Sequence, residues 1–267
     1  MLSSRRQFLA TTATVAAIPI LAGWSDSTRV AMVAADKSWR GYADTTVIDA
    51  LGGPGQYGAD PALPLTPKML DDIRLSGLSA VNLTVSGVGS YSQDYDKSIA
   101  NIAYWNDQIA AHPDRLMLIR SATDIASAKA SNRLGLIYGF QDTTPLFEDE
   151  KRLEQFDQLG VRVIQLTYNI RNLVGDGCTE PGDAGLSRYG RRLVGQINER
   201  GMLIDLSHSG RRTALEAIAA SSKPVAITHT GCAALTDLPR NKTDAELKAL
   251  ADKGGVAGIY LMPFLRK

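Results

Sequence analysis

The chain has 267 residues, of which 44% are hydrophobic and 21% are charged, so it carries enough apolar side chains to bury a core of ordinary size. This composition excludes an intrinsically disordered protein. The net charge of +1 is too small for a protein whose main partner is a nucleic acid, and we expect no nucleic-acid binding.

The first 35 residues have the features of an export segment. Paired arginines stand in the stretch SRRQFL at 4–9, and an Ala- and Thr-rich apolar stretch follows and ends near Gly23. This pattern resembles a twin-arginine signal. Its apolar part is too short to cross about 30 Å of hydrocarbon. We therefore expect a signal and linker at 1–35 and one domain at 36–267. We also expect a periplasmic or otherwise exported protein that uses the twin-arginine pathway, with no stable membrane span after cleavage.

Short apolar runs alternate with amphipathic segments from residue 45 to the end of the chain. The predicted strands lie at 45–51, 78–85, 134–140, 161–167, 202–206, 224–227 and 255–261, and a weaker apolar run lies at 116–119. The predicted helices lie at 67–76, 97–111, 121–130, 150–159, 189–200, 211–220 and 243–253. Strand alternating with helix predicts a parallel α/β fold.

The strand count is seven without the weak run and eight with it. A closed (β/α)8 barrel needs eight strands and typically about 250 residues, so the region 36–267 is short for that fold. Between the predicted strand at 161–167 and the next helix, residues 168–188 form a long loop without hydrophobic periodicity, and loops of that length in compact domains are usually functional or disordered.

Two of the three histidines follow consecutive predicted strands. His208 and His229 flank one predicted βαβ unit at 202–230, and parallel strands place their carboxyl ends at the same edge, where such folds carry their chemistry. A single histidine there would more often be a core residue bonded to backbone. Two in equivalent positions favour a metal site, because imidazole is the commonest metal ligand. His112 precedes a proline in a turn, and we expect it at the surface.

The second half of the chain resembles the renal-type membrane dipeptidase family. The resemblance rests on the stretches GVRVIQLTYN, GMLIDLSHSG, PVAITHT and PRNKTDAELKALADKGGV, in that order between 160 and 256. It implies a TIM-type (β/α)8 barrel with a two-zinc site that cleaves dipeptides, and relatives that dimerise. In this chain the barrel lacks its last strand, so we expect a truncated version of a longer protein.

Residue by residue, the resemblance makes His208 and His229 zinc ligands. It also makes Arg240 a contact of the substrate carboxylate, for which a guanidinium is well suited; a surface salt bridge is the alternative. Tyr168 stands at the position of a family histidine, and we assign it to the substrate site. No catalytic base is evident, since Asp205 fits a structural role as well as a catalytic one.

Several family positions differ here. Leu51 and Gly53 replace a His-x-Asp pair, and Gln141 replaces a bridging glutamate. A family aspartate on the last strand has no counterpart. We therefore expect one zinc ion rather than two.

A third ligand could come from Gln141, Tyr168, Cys178 or Cys232. A disulfide between the two cysteines is an equal alternative in an oxidising compartment. The resemblance thus predicts a dipeptidase-like hydrolase acting on a small peptide substrate, with a homodimer as the assembly. The alternative is a non-catalytic, ligand-binding barrel homologue.

Overall fold

The structure is a computed structural model that describes residues 41–54 and 64–260. The predicted export segment and the Pro/Gly-rich part of the first loop lie outside these residues. Asp44–Lys267 form one compact unit. Within the described ranges, no helix is both long and apolar enough to cross a membrane.

Strands and helices alternate along the chain as the hydrophobic pattern predicts. The strands are β1 (Ile48–Gly52), β2 (Ala80–Thr84), β3 (Leu116–Leu118), β4 (Leu134–Phe140), β5 (Val161–Gln165), β6 (Leu203–Asp205), β7 (Ala226–Thr230) and β8 (Val256–Ile259). The helices are α1 (Pro67–Ser76), α2 (Asp94–Ala111), α3 (Ala122–Ala130), α4 (Glu150–Gln158), α5 (Arg188–Glu199), α6 (Arg211–Ala220) and α7 (Asp244–Asp252).

Local capping explains why most helices begin where the sequence predicts. The Thr66 side chain caps α1, whose first residue is proline, and Gly77 in the left-handed conformation ends it. Helix α7 has a reciprocal capping box between Thr243 and Glu246. The difference is α2, which begins at Asp94 rather than at 97, because Asp94 and Asp96 fill its first turn, where acidic side chains are favoured.

The strands form one parallel sheet that curls into a nearly closed barrel. Its strand order is β1-β2-β4-β5-β6-β7-β8. The weak apolar run at 116–119 forms strand β3, which is not part of this strand order. Leu116–Leu118 pair with Leu134, Gly135 and Leu136 of β4. Strand β5 pairs with the second half of β4, from Tyr138 to Phe140. Strands β3 and β5 therefore use different halves of β4, which leaves seven strands in the described part of the barrel wall.

The end strands approach each other without pairing among the described residues. A Cβ atom built on Gly258 of β8 would lie 3.3 Å from the Cβ of Ala50 in β1. Apolar side chains at this opening stay exposed, with 46% exposure for Ile48, 65% for Val256 and 60% for Ile259. Among the described residues, β1 and β8 thus leave an opening in the barrel wall.

The helices cover the outside of the barrel through apolar contacts. Phe156 of α4 is fully buried against Phe140 of β4, with ring centroids 4.7 Å apart and the rings nearly perpendicular. Leu193 and Ile197 of α5 are buried in the same core. This packing fixes the carboxyl ends of the strands, where the candidate site lies.

Candidate functional site

The two histidines of the predicted βαβ unit meet at the carboxyl edge of the sheet. Their Nε2 atoms are 2.9 Å apart, and their exposures are 7% for His208 and 6% for His229. The prediction that both follow strand ends was wrong for His229. Strand β7 continues to Thr230, whose carbonyl accepts from Tyr260 N–H, so His229 lies inside the strand, while His208 lies in the turn after β6.

The other ring nitrogen of each histidine also has a close partner. His208 Nδ1 lies 2.7 Å from Asn169 Oδ1. His229 Nδ1 lies 2.8 Å from Thr228 Oγ1, and that hydroxyl lies 2.6 Å from Asp205 Oδ2. Both rings are therefore held at each of their nitrogen atoms.

Asp205 is a buried carboxylate that organises the strand ends. Its Oδ1 accepts from Ser207 N, Ser207 Oγ and Thr228 N at 2.5–3.1 Å, and Oδ2 accepts from Thr228 Oγ1. With 2% exposure, it has little access to solvent. The structure thus favours the structural role for Asp205 over that of a free base.

Arg240 ties the two histidine-bearing segments together. Its guanidinium donates to the carbonyls of Ser207 and His229. It also lies 5.7 Å from the ring centroid of Tyr260, a distance typical of a cation–π contact. Two carbonyls use two of its five N–H groups, and the Cys178 thiol is a further hydrogen-bond partner.

Aromatic rings cover the histidine pair on both sides. Tyr168 stacks on His208 with centroids 4.1 Å apart and an angle of 20° between the rings. Tyr260 meets His229 edge-on at 5.8 Å. The predicted site residues Tyr168, His208, His229 and Arg240 are therefore brought together, and Tyr260 is added to them.

The electrostatics keep both imidazoles neutral near pH 7. Burial lowers the pKa of His208 far below its usual 6.5, and the Arg240 charge adds to this effect. Burial also lowers the pKa of His229 to about 4, although the Asp205 carboxylate opposes it. Neutral imidazole is the form that binds metal.

A buried ion pair lies beneath this site. Lys242 Nζ is 3.2 Å from Glu246 Oε1 and donates to the Ser209 carbonyl at 2.6 Å, and both side chains are at most 2% exposed. Burial lowers the pKa of Lys242, against the attraction of Glu246. In the sequence, Glu246 lies in the first turn of the predicted helix at 243–253 and Lys242 directly precedes that helix, and nothing in this spacing signals burial.

The described residues bring one pair of imidazole donors together. Two neutral Nε2 atoms converge, but no group of three or more His, Cys, Asp or Glu side chains gathers in the described part of the chain. Leu51, Gly53 and Gln141, which the sequence resemblance aligned with metal-binding positions, carry no carboxylate or imidazole. A cation held here would thus have two protein nitrogen ligands, and its remaining positions would be open to water or substrate.

Both cysteines are free thiols and half-buried. Cys178 lies beside the site, with its Sγ 3.5 Å from Asn169 Oδ1 and its N–H bonded to the His208 carbonyl. Burial raises the pKa of the Cys178 thiol, although the Arg240 charge opposes this. The structure therefore does not contain the disulfide that the sequence left open as an alternative.

Sequence reasoning missed Asn169 and Thr228. Each lies one residue from a site residue that the sequence did single out, Tyr168 or His229. Their adjacency to Tyr168 and His229 was the available signal. Their role became visible only once the turn after β5 and the end of β7 were placed beside the rings.

Comparisons with known proteins place the chain. It is 34% identical to the dipeptidase verJ of Clonostachys rogersoniana over 60% of this chain and 41% of that protein, so it spans less than half of that relative. An amidohydrolase structure from Pseudomonas aeruginosa superposes with a TM-score of 0.72 and 38% identity, covering 82% of this chain and 63% of the other.

The probable dipeptidase PvdM from the same organism superposes with a TM-score of 0.71 at 20% identity, over 83% of this chain and 63% of the other, which shows the shared fold. The predicted α/β barrel is thereby confirmed. A family model described as membrane dipeptidase, peptidase family M19, matches residues 70–267. Because that match covers most of the chain, the chain belongs to the M19 membrane dipeptidase family.

Proposed function

We propose that this chain carries a metal-dependent hydrolase site that cleaves the amide bond of dipeptides or related small amides. The observation that carries the proposal is the buried histidine pair with Nε2 atoms 2.9 Å apart at the carboxyl edge of the barrel. Membership of a family of membrane dipeptidases and the likeness to a named dipeptidase support the same reaction.

In this proposal His208 and His229 hold one zinc ion, which when bound lowers the pKa of a water molecule and polarises the scissile carbonyl. The residues of the chain bind and orient the substrate. Arg240, anchored to two backbone carbonyls, turns its remaining N–H groups toward the substrate carboxylate. Tyr168 and Tyr260 cover the rings and exclude water from that side.

The second candidate function is ligand binding without hydrolysis. It is favoured by one observation: the carboxylate beside the pair, Asp205, accepts four hydrogen bonds and is not free to act as a base. Arg240 and the aromatic rings would then serve recognition alone.

Metal content and dipeptide hydrolysis separate these alternatives. We expect about one zinc per chain by elemental analysis, lost in His208→Ala. His112→Ala is the matched control, because His112 ends α2 and should keep the metal. Zinc together with cleavage of L-Ala-L-Ala supports the hydrolase, and zinc without cleavage of any dipeptide supports the binding protein. A chain without metal contradicts the assigned site.

We also propose export through the twin-arginine pathway, which rests on the arginine pair and the short apolar stretch that follows it. Replacing Arg5 and Arg6 by lysine should keep the protein in the cytoplasm, as cell fractionation would show. The resemblance to the family extends the proposal to a homodimer, which sedimentation would detect.

A further inference from the structure

We infer that Asn169 and the Asp205–Thr228 pair are positioning residues. They hold both histidines with the proton on Nδ1, so that two bare Nε2 lone pairs converge on one cation. The inference rests on the proposed metal site, and it follows from the direction of each hydrogen bond around the rings. The NMR measurement described below reads the ring protons directly, so its result does not depend on hydrolysis.

The position of the ring proton on His208 follows from the chemistry of the Asn169 amide. Asn169 Oδ1, 2.7 Å from His208 Nδ1, is a carbonyl oxygen and can only accept. Nδ1 must therefore carry the proton. The Cys178 thiol donates to the same oxygen, which is consistent with Oδ1 rather than the amide nitrogen facing the ring.

The position of the ring proton on His229 follows from the single proton of the Thr228 hydroxyl. Thr228 Oγ1 lies 2.6 Å from Asp205 Oδ2, and a carboxylate oxygen accepts, so the hydroxyl proton points to Asp205. The neighbouring Ser207 hydroxyl gives its own proton to Asp205 Oδ1. Thr228 Oγ1 can then only accept from His229 Nδ1, 2.8 Å away.

The consequence is a pair of nitrogen atoms with no proton between them. Nε2 of His208 and Nε2 of His229 both present lone pairs at 2.9 Å, a hydrogen-bond distance. Two buried acceptors in contact are unfavourable by themselves, and a bound cation satisfies both. The partners on the Nδ1 side thus orient the ligands, as outer hydrogen bonds do in metal sites generally.

The test combines ring NMR with metal titration. In metal-free protein, 15N–1H correlation spectra of both imidazoles should show protonated Nδ1 and unprotonated Nε2. A protonated Nε2 in either ring of the wild type overturns the inference. This reading holds whether or not the chain hydrolyses any substrate, so failure of the proposed function is seen separately.

Variants at positions 169 and 228 distinguish a role as hydrogen-bond acceptor from a role in packing alone. Asn169→Leu and Thr228→Val should weaken Zn²⁺ binding about 10- to 100-fold in calorimetry. Asn169→Asp and Thr228→Ser keep the acceptor and should retain affinity. Since an aspartate cannot donate, loss of binding in Asn169→Asp, or unchanged affinity in Asn169→Leu, overturns the assignment.

A matched control separates tautomer effects from loss of a buried hydroxyl. Thr167 is fully buried, and its hydroxyl bonds Ser209 Oγ at 3.2 Å rather than a histidine. Thr167→Val should therefore leave Zn²⁺ affinity and both ring spectra unchanged. Equal losses in Thr167→Val and Thr228→Val would contradict the proposed role of Thr228.

Discussion

Asp142 provides a quantitative test of the electrostatics at the barrel mouth. It follows β4 with 3% exposure, and its Oδ1 accepts from Asn172 Nδ2 at 2.7 Å and from Thr143 N at 2.8 Å. Burial raises its pKa from 3.8 to about 6, and the nearby Asp94 carboxylate adds to the rise, while these hydrogen bonds oppose it. We expect Asp142→Asn to stabilise the protein above neutral pH.

The expected gain follows from proton linkage. Between pH 3.8 and about 6 the folded chain holds the Asp142 proton more tightly than the unfolded chain, so this contribution to stability is present at low pH and is lost as pH rises through 6. A shift of this size corresponds to about 3 kcal/mol at pH 8. The amide loses one acceptor oxygen, which costs about 1 kcal/mol. The net gain should therefore be about 2 kcal/mol at pH 8.

Urea unfolding at two pH values measures this effect. The advantage of Asp142→Asn over wild type should shrink to near zero at pH 4.5, because the wild-type carboxyl is then largely protonated in the folded chain. A difference that is the same at pH 8 and pH 4.5, or a variant that is less stable at pH 8, would refute the linkage argument.

Three further outcomes follow from the structure. Lys242→Met should cost about 3–5 kcal/mol in urea unfolding because it leaves the buried Glu246 charge unpaired, and adding Glu246→Leu should recover only part of the loss because Glu246 also caps α7; no recovery would contradict the pairing. The lowered His229 pKa stabilises the fold above about pH 6.5, and this stabilisation is lost as pH falls toward 4, so His229→Gln should show a smaller drop over that range. A Cβ on Gly190 would lie 2.1 Å from the Val174 carbonyl oxygen, so Gly190→Ala should cost about 2–3 kcal/mol and lower the Tm by about 5–10 °C; an unchanged Tm would show that this loop yields.

The sequence was sufficient for most of the element order. Helices α1 and α6 lie at their predicted bounds. A threonine cap followed by proline marks the start of α1, and regularly spaced apolar residues mark α6. The place of β3 could not be predicted, since three residues carry no information about which half of β4 they pair with. That choice depends on contacts between distant parts of the chain.

The site was predictable only in part. His208 and His229 stand out because consecutive strands and an intervening helix bring their ends together. The residues that bond to the two rings could not be identified in this way. Asn169 contacts His208 from the loop after β5. The path of that loop depends on contacts such as those of Asn172 with Asp142 and Leu166. Local patterns in the sequence do not encode such contacts between loops.

The joint between β6 and β7 links the chemistry of the site to local opening of the backbone. These strands share one register pair, Asp205 with Ala226. Beyond this pair, side chains take the place of backbone carbonyls as hydrogen-bond acceptors. Asp205 Oδ1 accepts from Thr228 N–H, and Ser207 Oγ accepts from His229 N–H. Amide exchange at Thr228 and His229 would therefore report on side-chain bonds rather than on the sheet. A substitution of these polar residues would therefore disturb the histidine rings and weaken the contact between β6 and β7 at the same time.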